Sequence, residues 1–232
     1  MATFDGLTAL VTGIGLAAAR LLATQGAAVG VLDRGEQGPA DFAYARGDVS
    51  EDASVRAGVQ QLVDVLGGLD ILVNNAGIGA QGGIEDNDDN EWHRVFDVNV
   101  LGLVRVTRAA LPALRASQHG AIVNTCSIAA TAGLPQRALY SASKGAVLSL
   151  TSSAARSAAE SGAESSSRPR RASRTAGWSP RECRRCRGLT AFTRMPSAGG
   201  RRREVGGSTT GTALEIDGGM AGLRLRPRFG QS

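Results

Sequence analysis

Leu7-Thr-Ala-Leu-Val-Thr12, then Leu16-Ala-Ala-Ala-Arg-Leu-Leu-Ala-Thr-Gln25, then Ala28-Val-Gly-Val-Leu-Asp33 decide the fold. The first is a short apolar run that stops at a glycine, the second an alanine-rich helical stretch, the third an apolar run ending on an acid. Two nearly continuous apolar strands joined by a helix read as a β–α–β unit, whose strands lie parallel and are covered on both faces. The pattern continues outward. Residues 43–48 read as a third strand, and Asp52–Leu66 as a helix because Val55, Val59, Leu62, Val63 and Leu66 recur at helical spacing. Residues 69–74 and 120–125 are further buried-type strands, with helices expected over 90–116 and 138–157.

Composition bounds the rest. A chain of 232 residues buries a sizeable core. Arg105 and Arg108 interrupt the longest apolar candidate, so no membrane span is expected. The first residues lack a basic then apolar leader, and three cysteines make no disulfide framework, so a reducing cytoplasm is the expected setting. The net charge of +5 is unevenly held: residues 168–203 carry 12 arginines and one acid, against 14 basic and 20 acidic residues elsewhere.

Chemistry-bearing residues fall at strand ends. Thr12-Gly13 follows the first strand and Ile14-Gly15 opens the first helix, where free amide N–H groups can take a pyrophosphate. Asp33 ends the second strand about 20 residues later, placed to accept from a ribose diol. Asn74-Asn-Ala-Gly77 closes the fourth strand, and Ser127 follows the fifth, 13 residues before Tyr140 and 28 after Asn99. Tyr140-Ser-Ala-Ser-Lys144 holds the only lysine in a chain with 25 arginines. On a helix, residues four apart share a face, so the ammonium lies beside the phenol, and a nearby cation favours phenolate. Taken singly, Asp33 is also readable as a plain strand-terminating acid, and Asn99 as a helix cap or strand brace.

In order and spacing, Thr12-Gly13…Gly15, Asp48-Val49, Asn74-Asn-Ala-Gly77, Asn99, Ser127, Tyr140-x-x-x-Lys144 and Ile216-Asp-Gly-Gly219 resemble the short-chain dehydrogenase/reductase family. The resemblance implies an α/β, Rossmann-like, doubly wound parallel sheet with helices on both faces, in one domain over 1–232. It implies hydride transfer between NAD(P) and a small secondary alcohol or carbonyl, with Asn99, Ser127, Tyr140 and Lys144 as the catalytic group. Tyr140 would be the general acid/base, Lys144 would also hold the nicotinamide ribose, Ser127 would polarise the substrate oxygen, and the Asn99 side chain would help a proton relay. Gly13, Ile14, Gly15, Asp33, Asp48, Val49, Asn75 and Gly77 would line the cofactor cleft together with Tyr140 and Lys144. Asp33 favours NAD over NADP by repelling a 2′-phosphate, an inference that the adjacent Arg34 softens. A homodimer or tetramer is the family expectation, although an interface helix here runs into unusual sequence.

Two departures stand out. The family pattern T-G-x-x-x-G-x-G is cut to Thr12-Gly13-Ile14-Gly15, which leaves little length to wrap a phosphate. From 158 to 207 the sequence is rich in Arg, Ser and Gly, with no recognisable apolar strand. It is expected to be disordered and to leave the sheet incomplete after the fifth strand. A normal strand then returns within 208–226. In a GC-rich gene, alanine, valine and glycine codons read out of register yield such a composition; resequencing the source DNA tests that. The block favours no specific nucleic-acid role, because its arginines form no stripe and Trp178 and Phe192 are its only aromatics. Cys183-Arg-Arg-Cys186 lacks partner ligands, so no metal is expected. The competing expectation for the whole chain is an inactive or misfolded relic without a working cofactor site.

Overall fold

Five parallel strands run in the order β3-β2-β1-β4-β5: β1 (Thr8–Thr12), β2 (Ala28–Asp33), β3 (Ala43–Arg46), β4 (Ile71–Asn74) and β5 (Ala121–Thr125). This computed structural model describes residues 4–13, 15–132, 134–163, 189–194 and 213–215, with side chains up to residue 154. The alternation of strand side chains builds two cores. Leu10, Leu32, Leu72 and Ile122 point to one face, where helices α2 (Asp52–Leu66) and α4 (Leu103–Ala116) cover them. Ala9, Val11, Val29, Val31, Ile71 and Val73 point to the other, under α1 (Leu16–Thr24). Burial on both faces is why these strands are apolar throughout rather than alternating with polar residues.

The chain passes from β1 outward through β2 and β3, then returns to place β4 on the opposite side of β1. That reversal opens a crevice beyond the carboxyl ends of β1 and β4, the place where ligands bind in open α/β sheets. Thr12 closes its floor: the hydroxyl, buried, accepts from Asn75 N at 3.0 Å and Ala76 N at 3.1 Å.

The expected helix over 90–116 is interrupted. It forms α3 (Asp89–Phe96), a π-helical segment (Asp97–Gly102) and α4. The cause is tertiary. Asn99, inside the π segment, turns its amide to the backbone of Ile78, and a Cβ at Gly102 would lie 2.9 Å from the Val49 side chain. Such single π turns gather at functional sites. After the short α5 (Ala129–Ala132) comes α6 (Ala138–Ala163), longer than expected.

The parallel sheet stops at the fifth strand, as expected, but the sheet does not. At residues 189–194 the expectation of no recognisable strand is corrected by β6 (Leu189–Arg194), which lies antiparallel on β5, with β7 (Ala213–Glu215) antiparallel on β6. A free β5 edge presents unpaired backbone donors and acceptors, and Leu-Thr-Ala-Phe-Thr has the residues that favour strands. The remainder of that block, with Cys183 and Cys186, lies outside the described residues.

Candidate active site

Tyr140 and Lys144 occupy the first turns of α6, one turn apart, with the ammonium 5.9 Å from the phenol ring centre. Lys144 is buried, and Nζ donates to the Thr125 carbonyl at the end of β5 at 2.9 Å. Burial holds the Lys144 ammonium below the usual lysine range, because the charged form loses hydration. Beside it, Cys126 is buried, its thiol donates to the Lys144 carbonyl at 3.2 Å, and burial pushes that thiol up.

Asn99 is buried and fully engaged. Oδ1 accepts from Ile78 N at 2.7 Å; Nδ2 donates to Ile78 O at 2.9 Å and to Ser143 Oγ at 3.1 Å. Ser143, with no exposed surface, donates in turn to the Tyr140 carbonyl at 2.8 Å. The Asn99 side chain, expected to help a proton relay, ties the loop after β4 to the tyrosine-bearing helix, and both of its amide donor bonds are to the fold. Ser127 Oγ accepts from Ala129 N at 3.2 Å, which leaves its hydroxyl hydrogen for another acceptor.

Two cavities share the residues after β4. One, ≈ 450 Å³, is lined by Tyr140, Lys144, Thr125, Cys126, Leu134 and Arg137, with Asn75 and Gly77 on its shared wall. Ser127 is not among its lining residues. The other, ≈ 420 Å³, is lined by Gly13, Asp33, Arg34, Asp48, Val49, Asn75 and Gly77, among others. Six of the expected cofactor residues thus meet at one cavity and two of them continue into the next. Gly15 lies apart: a Cβ there would sit 2.8 Å from Val11 Cγ1 and 3.1 Å from the Asn75 side chain. Ile14 lies outside the described residues.

The acids of this cleft differ in availability. Asp48 Oδ1 accepts from Ser50 Oγ at 2.6 Å and Ser50 N at 2.9 Å, and those bonds hold its carboxyl below the usual range. Asp97 pairs with Arg105 at 2.7 Å. Asp33 Oδ1 accepts only from Gly35 N, at 2.9 Å, and among the described residues its second oxygen has no partner.

These residues fit a dinucleotide at its two ends. The ≈ 420 Å³ cavity offers a carboxylate oxygen for a ribose diol, and the ≈ 450 Å³ cavity offers the Tyr140 and Lys144 pair. Between them, only Gly13, Ile14 and Gly15 join β1 to α1. A family model described as short chain dehydrogenase matches residues 7–165.

The chain belongs to the short chain dehydrogenase family.

It is 37% identical over 169 residues to an uncharacterized oxidoreductase of Thermotoga maritima, a match covering 66% of each chain. The matched part is thus just under two thirds of that relative's length. Among solved structures, a 3-ketoacyl-(acyl-carrier-protein) reductase from Brucella melitensis complexed with NADH superposes with TM-score 0.64 at 32% identity, covering 68% of this chain and 72% of that one. A gluconate 5-dehydrogenase from Burkholderia cenocepacia in complex with NADP and tartrate gives TM-score 0.62 at 37% identity, covering 67% of each. No helix among the described residues is long and apolar enough to cross a membrane. Within this short-chain dehydrogenase, sequence reasoning missed Thr125, Ser143 and Arg137. Only Arg137, three residues before Tyr140, carried a signal at all: a cation entering the active helix.

Proposed function

We propose that this chain transfers a hydride between NAD(P), with NAD favoured, and a small secondary alcohol or carbonyl compound, using Tyr140 as general acid/base. The observation that carries the reading is the meeting of Tyr140, Lys144, Asn75 and Gly77 in one cleft that runs on to Asp33. When bound, the nicotinamide supplies the acceptor or donor of the hydride. Asp33 accepts from the adenosine ribose diol, Asp48 and Val49 border the adenine, and Asn75 and Gly77 line the passage between the two ends. Lys144, fixed by the Thr125 carbonyl, holds its ammonium beside the phenol. Tyr140 Oη gives a proton to the substrate oxygen in reduction and takes it in oxidation. Ser127 donates to that same oxygen. Asn99 and Ser143 fix the height of the tyrosine-bearing turn against the loop after β4. NAD is favoured because the Asp33 carboxylate repels a 2′-phosphate, although Arg34 lines the same cavity.

A second reading is supported by one feature, the three-residue connection from β1 to α1: a descendant that keeps the catalytic residues and has no working cofactor site. Calorimetric titration with NADH and NADPH separates the two, alongside turnover of short secondary alcohols followed by nicotinamide absorbance. Saturable NADH binding with turnover that Tyr140→Phe abolishes supports the enzyme; no binding at millimolar dinucleotide supports the relic.

A further inference from the structure

Arg137 enters the catalytic cavity from the turn that precedes α6. Its backbone is stitched to the loop after β4: Gly82 N donates to Gln136 O at 3.0 Å, and Ala138 N to Gly82 O at 3.1 Å. The side chain is half-buried, and Nη1 donates to the Ala80 carbonyl at 3.1 Å. A guanidinium presents five N–H donors, so most of its capacity is left over. Among the described residues Arg137 makes no ion pair. None of the described residues lining this cavity is acidic. The only other cation there, Lys144, is buried with its ammonium on the Thr125 carbonyl.

An oriented, partly desolvated guanidinium facing a cavity without a counter-charge is a receptor for an oxyanion, and its planar fork matches a carboxylate through two parallel hydrogen bonds. We propose that the substrate is a small hydroxy or oxo acid whose carboxylate is bound by Arg137, with its hydroxyl or carbonyl presented to Tyr140. This rests on the reading of Tyr140 as the proton-transfer residue. The cation selects the acid, and the apolar side chains of Leu134 and Ile78 in the same cavity accept a short carbon chain.

The test compares lactate, glycerate and 3-hydroxybutyrate, each with its own primary amide, by calorimetric or NMR titration of the full chain with and without NADH, and by turnover. At least one acid is expected to bind roughly tenfold tighter than its amide, the effect of one charge-assisted contact. Arg137→Gln is expected to remove that preference, while Arg137→Lys keeps part of it. Because Arg137 also holds the Ala80 carbonyl, thermal melts check both variants, and the acid–amide comparison on the native chain stands without either. Equal affinity for acid and amide, no binding of any acid, or a preference that survives Arg137→Gln overturns the proposal. Selective acid binding without turnover leaves the Arg137 site standing and sinks the dehydrogenase reading. Turnover of acid and amide with equal kcat/KM does the reverse.

Discussion

Insertion of Ala-Ala-Ala-Gly between Gly13 and Ile14 restores the T-G-x-x-x-G-x-G spacing and is expected to raise the affinity for NADH. In the native chain three residues join Thr12, the end of β1, to Leu16, the start of α1. Both ends of that connection are pressed against neighbours. Gly13 sits at φ 71 with the place of its missing Cβ 2.8 Å from Ala76 Cα, and Gly15 has Val11 Cγ1 at the same distance from its own. No slack remains to curl N–H groups around a diphosphate. Lengthening the connection from three residues to seven costs about 0.75 kcal/mol of closure entropy, from (3/2)RT ln(7/3). Two added backbone donors to a charged diphosphate contribute about 1.5–3 kcal/mol each. The net is about 2–5 kcal/mol, or roughly 30-fold to several thousandfold in Kd. Calorimetric titration of native and insertion proteins with NADH measures it, with circular dichroism reporting the fold. An insertion protein that folds and binds NADH no more tightly than the native chain refutes the reasoning, because the short connection would then not be what limits the site.

Gly13→Ala is expected to destabilise the fold by about 3–4 kcal/mol: about 1–2 for a left-handed alanine, and about 1 for each Thr12 hydroxyl bond to Asn75 and Ala76 that the clash strains. A urea midpoint corresponding to less than about 1 kcal/mol would contradict it. Lys144→Met should abolish turnover and also change the pH dependence of stability. The buried ammonium has a depressed pKa, so the folded state binds fewer protons than the unfolded one just below the usual lysine value. Native stability should therefore rise relative to the methionine variant as pH climbs from the depressed value toward the unfolded lysine value of about 10.4, read from paired denaturant midpoints. At Asp70, burial pushes the carboxyl up, but hydrogen bonds from Ser117 and Thr8 outweigh it and hold it low. That contribution is full above the unfolded value of about 3.9 and is lost as pH falls through the depressed one. Asp70→Asn should cost about 1–3 kcal/mol at neutral pH and nothing in strong acid. A gap that persists at the acid end would rule out the carboxylate as its cause.

Strands β1, β2, β4 and β5 were legible because a strand buried on both faces must be largely apolar, and the runs around Leu10, Val31, Leu72 and Ile122 are. Helix α2 was legible to the residue because Val55, Val59 and Leu62 face the core at helical spacing and Gly67, at φ 73, ends it. The π segment was not legible, since its causes are Ile78 and Val49, distant in sequence. Strand β6 was hidden by its surroundings: Leu189, Ala191 and Phe192 lie in an arginine-rich stretch and are ordered by pairing with β5 and β7, and nothing local announces an antiparallel partner. In the site, the family resemblance named Gly13, Asp33, Asp48, Val49, Asn75 and Gly77, which line one cavity. It could not find Thr125, whose contribution to Lys144 is a carbonyl that every residue possesses, or Ser143, which works through another residue's amide.

The residues that best advertise the family are also the most deeply built into the fold. Lys144 is anchored on Thr125, Asn99 on Ile78 and Ser143, and Asn74 on Asn124 and Thr107, with Asn124 in turn on Thr151. A buried polar network of this kind is costly to break in part, because each orphaned group keeps its desolvation penalty. Such residues persist for stability whether or not chemistry is still done. The groups that speak for activity are those with capacity the fold does not use: the second oxygen of Asp33, the hydroxyl hydrogen of Ser127, and the remaining N–H donors of Arg137. None of these groups holds two elements of the sheet together. Asp33→Asn, Ser127→Ala and Arg137→Gln should therefore leave the thermal midpoint nearly unchanged, whereas Asn99→Leu should lower it by several degrees. If ligand binding responds to the first three and folding only to the fourth, the cleft is a working site and not merely the imprint of one.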